Sequence, residues 1–130
     1  MLTLAIALAA VGCQSGNKNA SSEESSGGGA VKITADARAK AQDMFTTRCA
    51  ACHGLAGKGD GAGAANLTPR PPNFQDKNWQ ASISGDNIEK AILYGGAAIG
   101  KSPMMPANPD LQSQPAVVAA LREKIRQLGK

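Results

Sequence analysis

Aromatic side chains are scarce in this sequence: Phe45, Phe74, Trp79 and Tyr94 make up 3% of its 130 residues. Histidine occurs once, as His53, and cysteine three times, as Cys13, Cys49 and Cys52. Each shortage excludes something. One histidine and the two cysteines near it fall short of the four protein ligands of a structural zinc site. Four aromatics among 15 glycines and 7 prolines leave a thin core. A single domain of this size often needs a staple, a metal or a large bound group to be stable. The formal charge is +4, yet no run of five or six like charges occurs. Without a basic cluster interleaved with aromatics, nucleic-acid binding is set aside. No apolar run reaches the roughly 20 residues a membrane-spanning helix needs. No segment alternates apolar and polar residues over strand length, so β-structure should be minor, and no internal repeat is visible.

What is present begins with M-L-T-L-A-I-A-L-A-A-V, Met1 to Val11, apolar except for Thr3. This suits the apolar region of a secretory signal. The usual basic start is missing, so the signal is expected to begin upstream of Met1. The following A-V-G-C, Ala10 to Cys13, resembles a bacterial lipoprotein signal, although Ala10 stands where leucine is commonest. The resemblance implies a signal over residues 1–12 and a lipid on Cys13, which becomes the new N-terminus. The alternative is an ordinary free or buried cysteine. Gln14 to Ala30 is rich in Ser, Gly, Asn and Glu without apolar period. Residues 13–30 therefore read as a lipidated start and a flexible linker, with a mean reach of roughly 20–25 Å.

Residues 31–130 form the expected folded domain. Thr34 can cap a helix over about Ala35–Thr47, with Ala37, Ala41, Met44 and Phe45 on one face. Leu55 to Asn73 reads as loop from its glycines and its P-R-P-P run. Ser84 can cap a second helix, Gly85–Tyr94, with Ile88, Ala91 and Ile92 inward and Gly95 as its stop. Pro115 suits the first turn of a last helix that ends before Gly129, with Val118, Leu121, Ile125 and Leu128 as its stripe.

R-C-A-A-C-H-G, Arg48 to Gly54, holds the sole histidine and two of the three cysteines. A thioredoxin-like redox pair would sit at a helix start in a βαβ setting, which this sequence lacks. A plain disulfide or an inert pair is a further, lesser alternative. In an exported chain, C-x-x-C-H is specific for covalent haem attachment. The thiols of Cys49 and Cys52 add to the two haem vinyl groups, and His53 offers its imidazole to the iron. The porphyrin would then fill the thin core. Gly57, Gly59, Gly61 and Gly63 are turn glycines, since neither a Gly-Lys-Ser/Thr step nor a strand–helix setting makes a phosphate loop.

Ala35 to Lys130 resembles the class I c-type cytochromes. The resemblance rests on A-x-x-x-F (Ala41–Phe45), C-A-A-C-H-G followed by G-K-G-D-G, I-x-K-A-I-x-x-G-G (Ile88–Gly96), G-K-S-P-M-M-P and L-x-x-x-I-R-x-L (Leu121–Leu128). It departs at Ala41, where the family usually has glycine at a helix crossing, and at Lys124, where an aromatic often packs. It implies a mostly α, small helical domain wrapped around one covalent haem c. The family places its methionine ligand just before proline, which selects Met105 as the sixth ligand and leaves Met104 as a haem contact or packing residue. His/Met ligation raises the reduction potential. A proline carbonyl orients the histidine in related proteins, and Pro69, Pro71 and Pro72 are the candidates. Trp79 could bond a haem propionate or simply cover the haem edge, and Tyr94 is expected to pack. With six ligands on iron, the chain is expected to carry single electrons rather than act as an enzyme. Two other readings are a haem subunit of a larger respiratory complex and a small-ligand sensor with labile Met ligation. The expected setting is the periplasmic side of a bacterial membrane, as a lipid-anchored monomer. Basic side chains such as Lys58, Arg70 and Lys101 on loops suit redox protein partners with an acidic docking patch.

Overall fold

A computed structural model describes residues 31–130, and the readings made on the signal, Cys13 and the linker lie outside the described residues. The first helix, α1, spans Ala35–Met44, and the Thr34 hydroxyl caps it by accepting from Ala37 N–H at 3.1 Å. Ala37, Ala41, Met44 and Phe45 are buried along one face. They pack against the last helix, α5, which spans Pro115–Leu128.

The first helix does not stop at Thr47. Its hydrogen-bond register widens into a π-helical turn over Phe45–Cys49, and α2 then runs over Ala50–His53. The Thr46 and Thr47 hydroxyls each donate to the Asp43 carbonyl at 2.8 Å, and Thr46 also reaches the Gln42 carbonyl at 3.1 Å. Such back-bonding satisfies carbonyls of the preceding turn from the side chain and loosens the main-chain ladder. C-A-A-C-H is therefore the end of one long helix, closed by Gly54 at φ 77°.

A short helix, α3 at Lys77–Ser82, was not expected from the sequence. Asp76 caps it, accepting from Asn78 and Trp79 N–H. The next helix, α4, spans Gly85–Tyr94 as anticipated, capped by Ser84 and buried through Ile88, Ala91 and Ile92. In α5, Val118, Leu121 and Ile125 of the expected stripe are buried, with Val117 and Ala120 beside them, while Leu128 is half-buried. Leu55–Asn73 is irregular except for a 3-10 turn at Ala62–Ala64, and further 3-10 turns occupy Gly96–Ile99 and Pro109–Leu111. The described residues hold no strand, and none of their helices is long and apolar enough to cross a membrane.

The two departures from the family pattern meet at the α1–α5 crossing. Ala41 is 1% exposed there, so its methyl is accommodated in the contact. Lys124 lies with its Nζ 4.7 Å from the centre of the Phe45 ring and donates to Gln42 Oε1 at 2.7 Å. A cation over a ring face thus takes the place of an aromatic pair. Arg38–Glu123 at 3.0 Å and Arg122–Glu89 at 3.1 Å tie α5 to α1 and α4 at the surface, worth about 0–1 kcal/mol each.

Candidate functional site

Cys49 and Cys52 are three residues apart on the continuous helix, which puts both thiols on one side of it, one turn apart. Both are free and half-buried. Burial pushes the Cys49 thiol up from its ordinary pKa, and the neighbouring Arg48 partly offsets this. The following loop lies close over the motif. Gly59 N–H donates to the His53 carbonyl at 2.8 Å and Gly61 N–H to the Cys52 carbonyl at 3.1 Å. A Cβ at Gly61 would come within 2.3 Å of the Ala51 carbonyl oxygen, so only glycine permits that approach.

His53 closes the helix with its ring stacked on Phe74, the centroids 4.6 Å apart and the planes 19° from parallel. Burial pushes its pKa down to about 4, so the imidazole is neutral at ordinary pH. Its Nδ1 is the one buried side-chain nitrogen or oxygen among the described residues without a hydrogen-bond partner. None of the Pro69, Pro71 and Pro72 carbonyls bonds it. A neutral imidazole with Nδ1 sealed inside leaves Nε2 as the nitrogen available to an iron.

Met105 sits on a different element. The loop Gly100–Asn108 folds back on the end of α4, where Gly96 N–H donates to the Met105 carbonyl at 3.1 Å. A Cβ on Gly96 would fall 2.2 Å from the Ser102 carbonyl oxygen and 3.2 Å from the Met105 Cβ. Asn108 locks the far side, its Nδ2 donating to the Ile92 carbonyl at 2.8 Å. Met105 is half-buried on this support, whereas Met104 is 62% exposed. Of the two methionines, the one before proline is thus the less exposed.

Trp79 is half-buried against Phe74, with ring centroids 4.9 Å apart. Tyr94, expected to pack, is instead 54% exposed. It follows Ile92 by two residues, so it projects roughly 200° around α4 from that buried side chain. Phe74 was not singled out in the sequence, because its contact with His53 joins residues 21 apart that no local pattern links.

The residues fit a covalent haem. Two free thiols one turn apart precede a desolvated, neutral imidazole with an unpartnered nitrogen, and a second loop carries a half-buried methionine. No group of three His, Cys, Asp or Glu side chains suited to a metal ion occurs among the described residues.

Comparison with known proteins agrees. The family described as Cytochrome c matches residues 38–127. A solved structure, "KustC0563 c-type cytochrome", superposes with a TM-score of 0.51 at 26% identity, covering 69% of this chain and 98% of the other. The curated protein "Cbb3-type cytochrome c oxidase subunit FixP" of Bradyrhizobium sp. (strain ORS 278) is 38% identical over 64 residues, 49% of this chain but 19% of its own length. The match over most of the folded residues, together with the all-helical fold and the C-A-A-C-H turn, shows that the chain belongs to the cytochrome c family, which binds haem c covalently and uses it for electron transfer.

Proposed function

We propose that this chain is a single-electron carrier in which Cys49 and Cys52 hold the haem by thioether bonds and His53 and Met105 are its axial ligands. The observation that carries this reading is the succession of two free thiols and an imidazole whose buried Nδ1 lacks a partner, on one helix end. The bound haem supplies a one-electron iron couple, and the chain's own residues determine its surroundings. His53 stays neutral through desolvation and so keeps a lone pair for the iron. Met105 contributes a soft thioether, which favours the reduced state. Saturated ligation leaves no position for a substrate, consistent with a carrier rather than an enzyme.

The mature chain is proposed to start at a lipidated Cys13 and to work on the periplasmic side of a bacterial membrane, as a tethered monomer. Residues 31–130 contain 13 Lys or Arg against 8 Asp or Glu, a formal charge of +5. Lys58, Arg70 and Lys101 are exposed, whereas Arg48 is engaged by Asp110 at 2.8 Å. The proposed redox partners present an acidic patch to these exposed cations. A second reading, a haem subunit within a larger respiratory assembly, is favoured by the partial likeness to an oxidase subunit. Redox titration of the purified protein followed by visible absorption tests the carrier reading. A single reversible one-electron transition with no carbon monoxide binding to the reduced form is expected. Ready carbon monoxide binding would contradict six-coordination.

A further inference from the structure

We propose, on the reading of Met105 as an axial ligand, that Arg48 and Asp110 are positioning residues for it: their ion pair latches the attachment helix to the chain leaving the methionine loop and slows that loop's opening. The π-helical turn makes Arg48 available. Met44 and Phe45 are buried, and on an unbroken α-helical period Arg48 would continue their stripe, four residues after one and three after the other. The wide turn inserts an extra residue, with Ala50 N–H donating to the Phe45 carbonyl five residues back. The stripe resumes at half-buried Cys49 and buried Ala50, and Arg48 is exposed instead. The register change that delivers the attachment cysteines thus also sends a cation outward beside them, where its Nη1 meets Asp110 Oδ2 at 2.8 Å.

Asp110 belongs to residues 106–114, the stretch through which the chain leaves Met105 for α5. Its other ties run elsewhere. Asn108 is held to α4, its N–H donating to the Leu93 carbonyl at 3.2 Å and its Nδ2 to the Ile92 carbonyl at 2.8 Å. Leu111 is 1% exposed, Gln114 Nε2 donates to the Asp110 carbonyl at 2.8 Å, and Lys40 of α1 donates to Gln114 Oε1. Among the hydrogen bonds and ion pairs of the described residues, Arg48–Asp110 alone joins residues 45–53, which carry the attachment motif, to residues 100–114, which carry the methionine. An exposed ion pair adds little to global stability. A loop opens locally at a much smaller free energy than the domain unfolds, so the same pair is a larger share of what keeps the loop shut.

The test compares the haem-loaded full chain with Arg48→Ala, Asp110→Ala, the double variant and Arg38→Ala. The last removes another exposed pair, Arg38–Glu123, which joins α1 to α5 and does not touch residues 106–114. The readout is the rate at which saturating imidazole displaces the thioether from the oxidised iron, followed as loss of the long-wavelength band. Each single variant at the latch should raise that rate about two- to fivefold, the range an exposed ion pair allows. The double variant should be no faster than either single, because both lose the same contact. Arg38→Ala should keep the wild-type rate. If Arg48→Ala, next to Cys49, loads haem poorly, Asp110→Ala is set against Asp110→Glu, which keeps the charge and should stay near wild type. Wild-type rates in the latch variants would overturn the proposal, as would effects that multiply in the double variant or an equal rise in Arg38→Ala. A wild-type protein without the long-wavelength band would instead overturn the Met105 reading, and the latch with it.

Discussion

Arg126 on α5 grips Gln80 twice, its guanidinium donating to the Gln80 carbonyl at 2.7 Å and to Oε1 at 2.8 Å. The same side chain donates to the Ile83 carbonyl at 2.6 Å. One cation therefore holds both the end of α3 and the turn into α4. Hydrogen bonds from a charged donor contribute about 1.5–3 kcal/mol each, and losing the donor strands partly buried carbonyls.

Arg126→Ala should lower unfolding stability by about 2–4 kcal/mol, seen as a lower denaturant midpoint with little change in slope. Arg126→Lys should recover only part, because an ammonium cannot reproduce the planar fork. A midpoint within error of wild type for Arg126→Ala would contradict the clamp.

The Met105 loop depends on the absence of a side chain at Gly96. Gly96→Ala places a methyl into the Ser102 carbonyl and should cost about 1–3 kcal/mol while displacing the loop. It should weaken the long-wavelength band that marks sulfur bound to ferric haem. Met105→Ala should abolish that band and lower the reduction potential, and Met104→Ala should leave it in place. The opposite pattern would transfer the ligand assignment to Met104.

Much of this was legible in the sequence where signals are local. Ser84, the inward Ile88, Ala91 and Ile92, and Gly95 mark both ends and the face of α4, and Pro115 and Gly129 bracket α5. The attachment motif is read from adjacent residues and Met105 is proposed from family resemblance, so neither reading draws on tertiary information. The short helix α3 escaped because six residues carry no periodic stripe, and only its Asp76 cap announces it. The π-helical turn escaped for a different reason. Thr46 and Thr47 alter the register through hydroxyl bonds that leave the apolar spacing of α1 unchanged. Phe74 and Arg126 act across 21 and 46 residues, which no local pattern reveals.

Cys13 lies outside the described residues, and its role is testable directly. Expressed with an export signal, the wild-type chain should partition with membranes and need detergent for release, since two or more acyl chains anchor stably. Cys13→Ser should yield unanchored protein or uncleaved precursor. Wild-type protein found wholly in the soluble fraction would end the lipid proposal.

For the partner, electron transfer to a candidate redox protein should slow as salt is added. Attraction between exposed charges is screened over about 8–10 Å at physiological ionic strength. A second-order rate that is flat or rises with salt would rule out acidic-patch docking for that partner.

The central claim is that this chain carries haem bound covalently through Cys49 and Cys52. Acid–acetone extraction of the purified protein, followed by mass measurement of the polypeptide, tests it most directly. The account predicts that the colour stays with the protein, that the polypeptide gains the mass of one haem, and that Cys49→Ala with Cys52→Ala loses it. Free haem in the organic phase and a polypeptide of unmodified mass would contradict it.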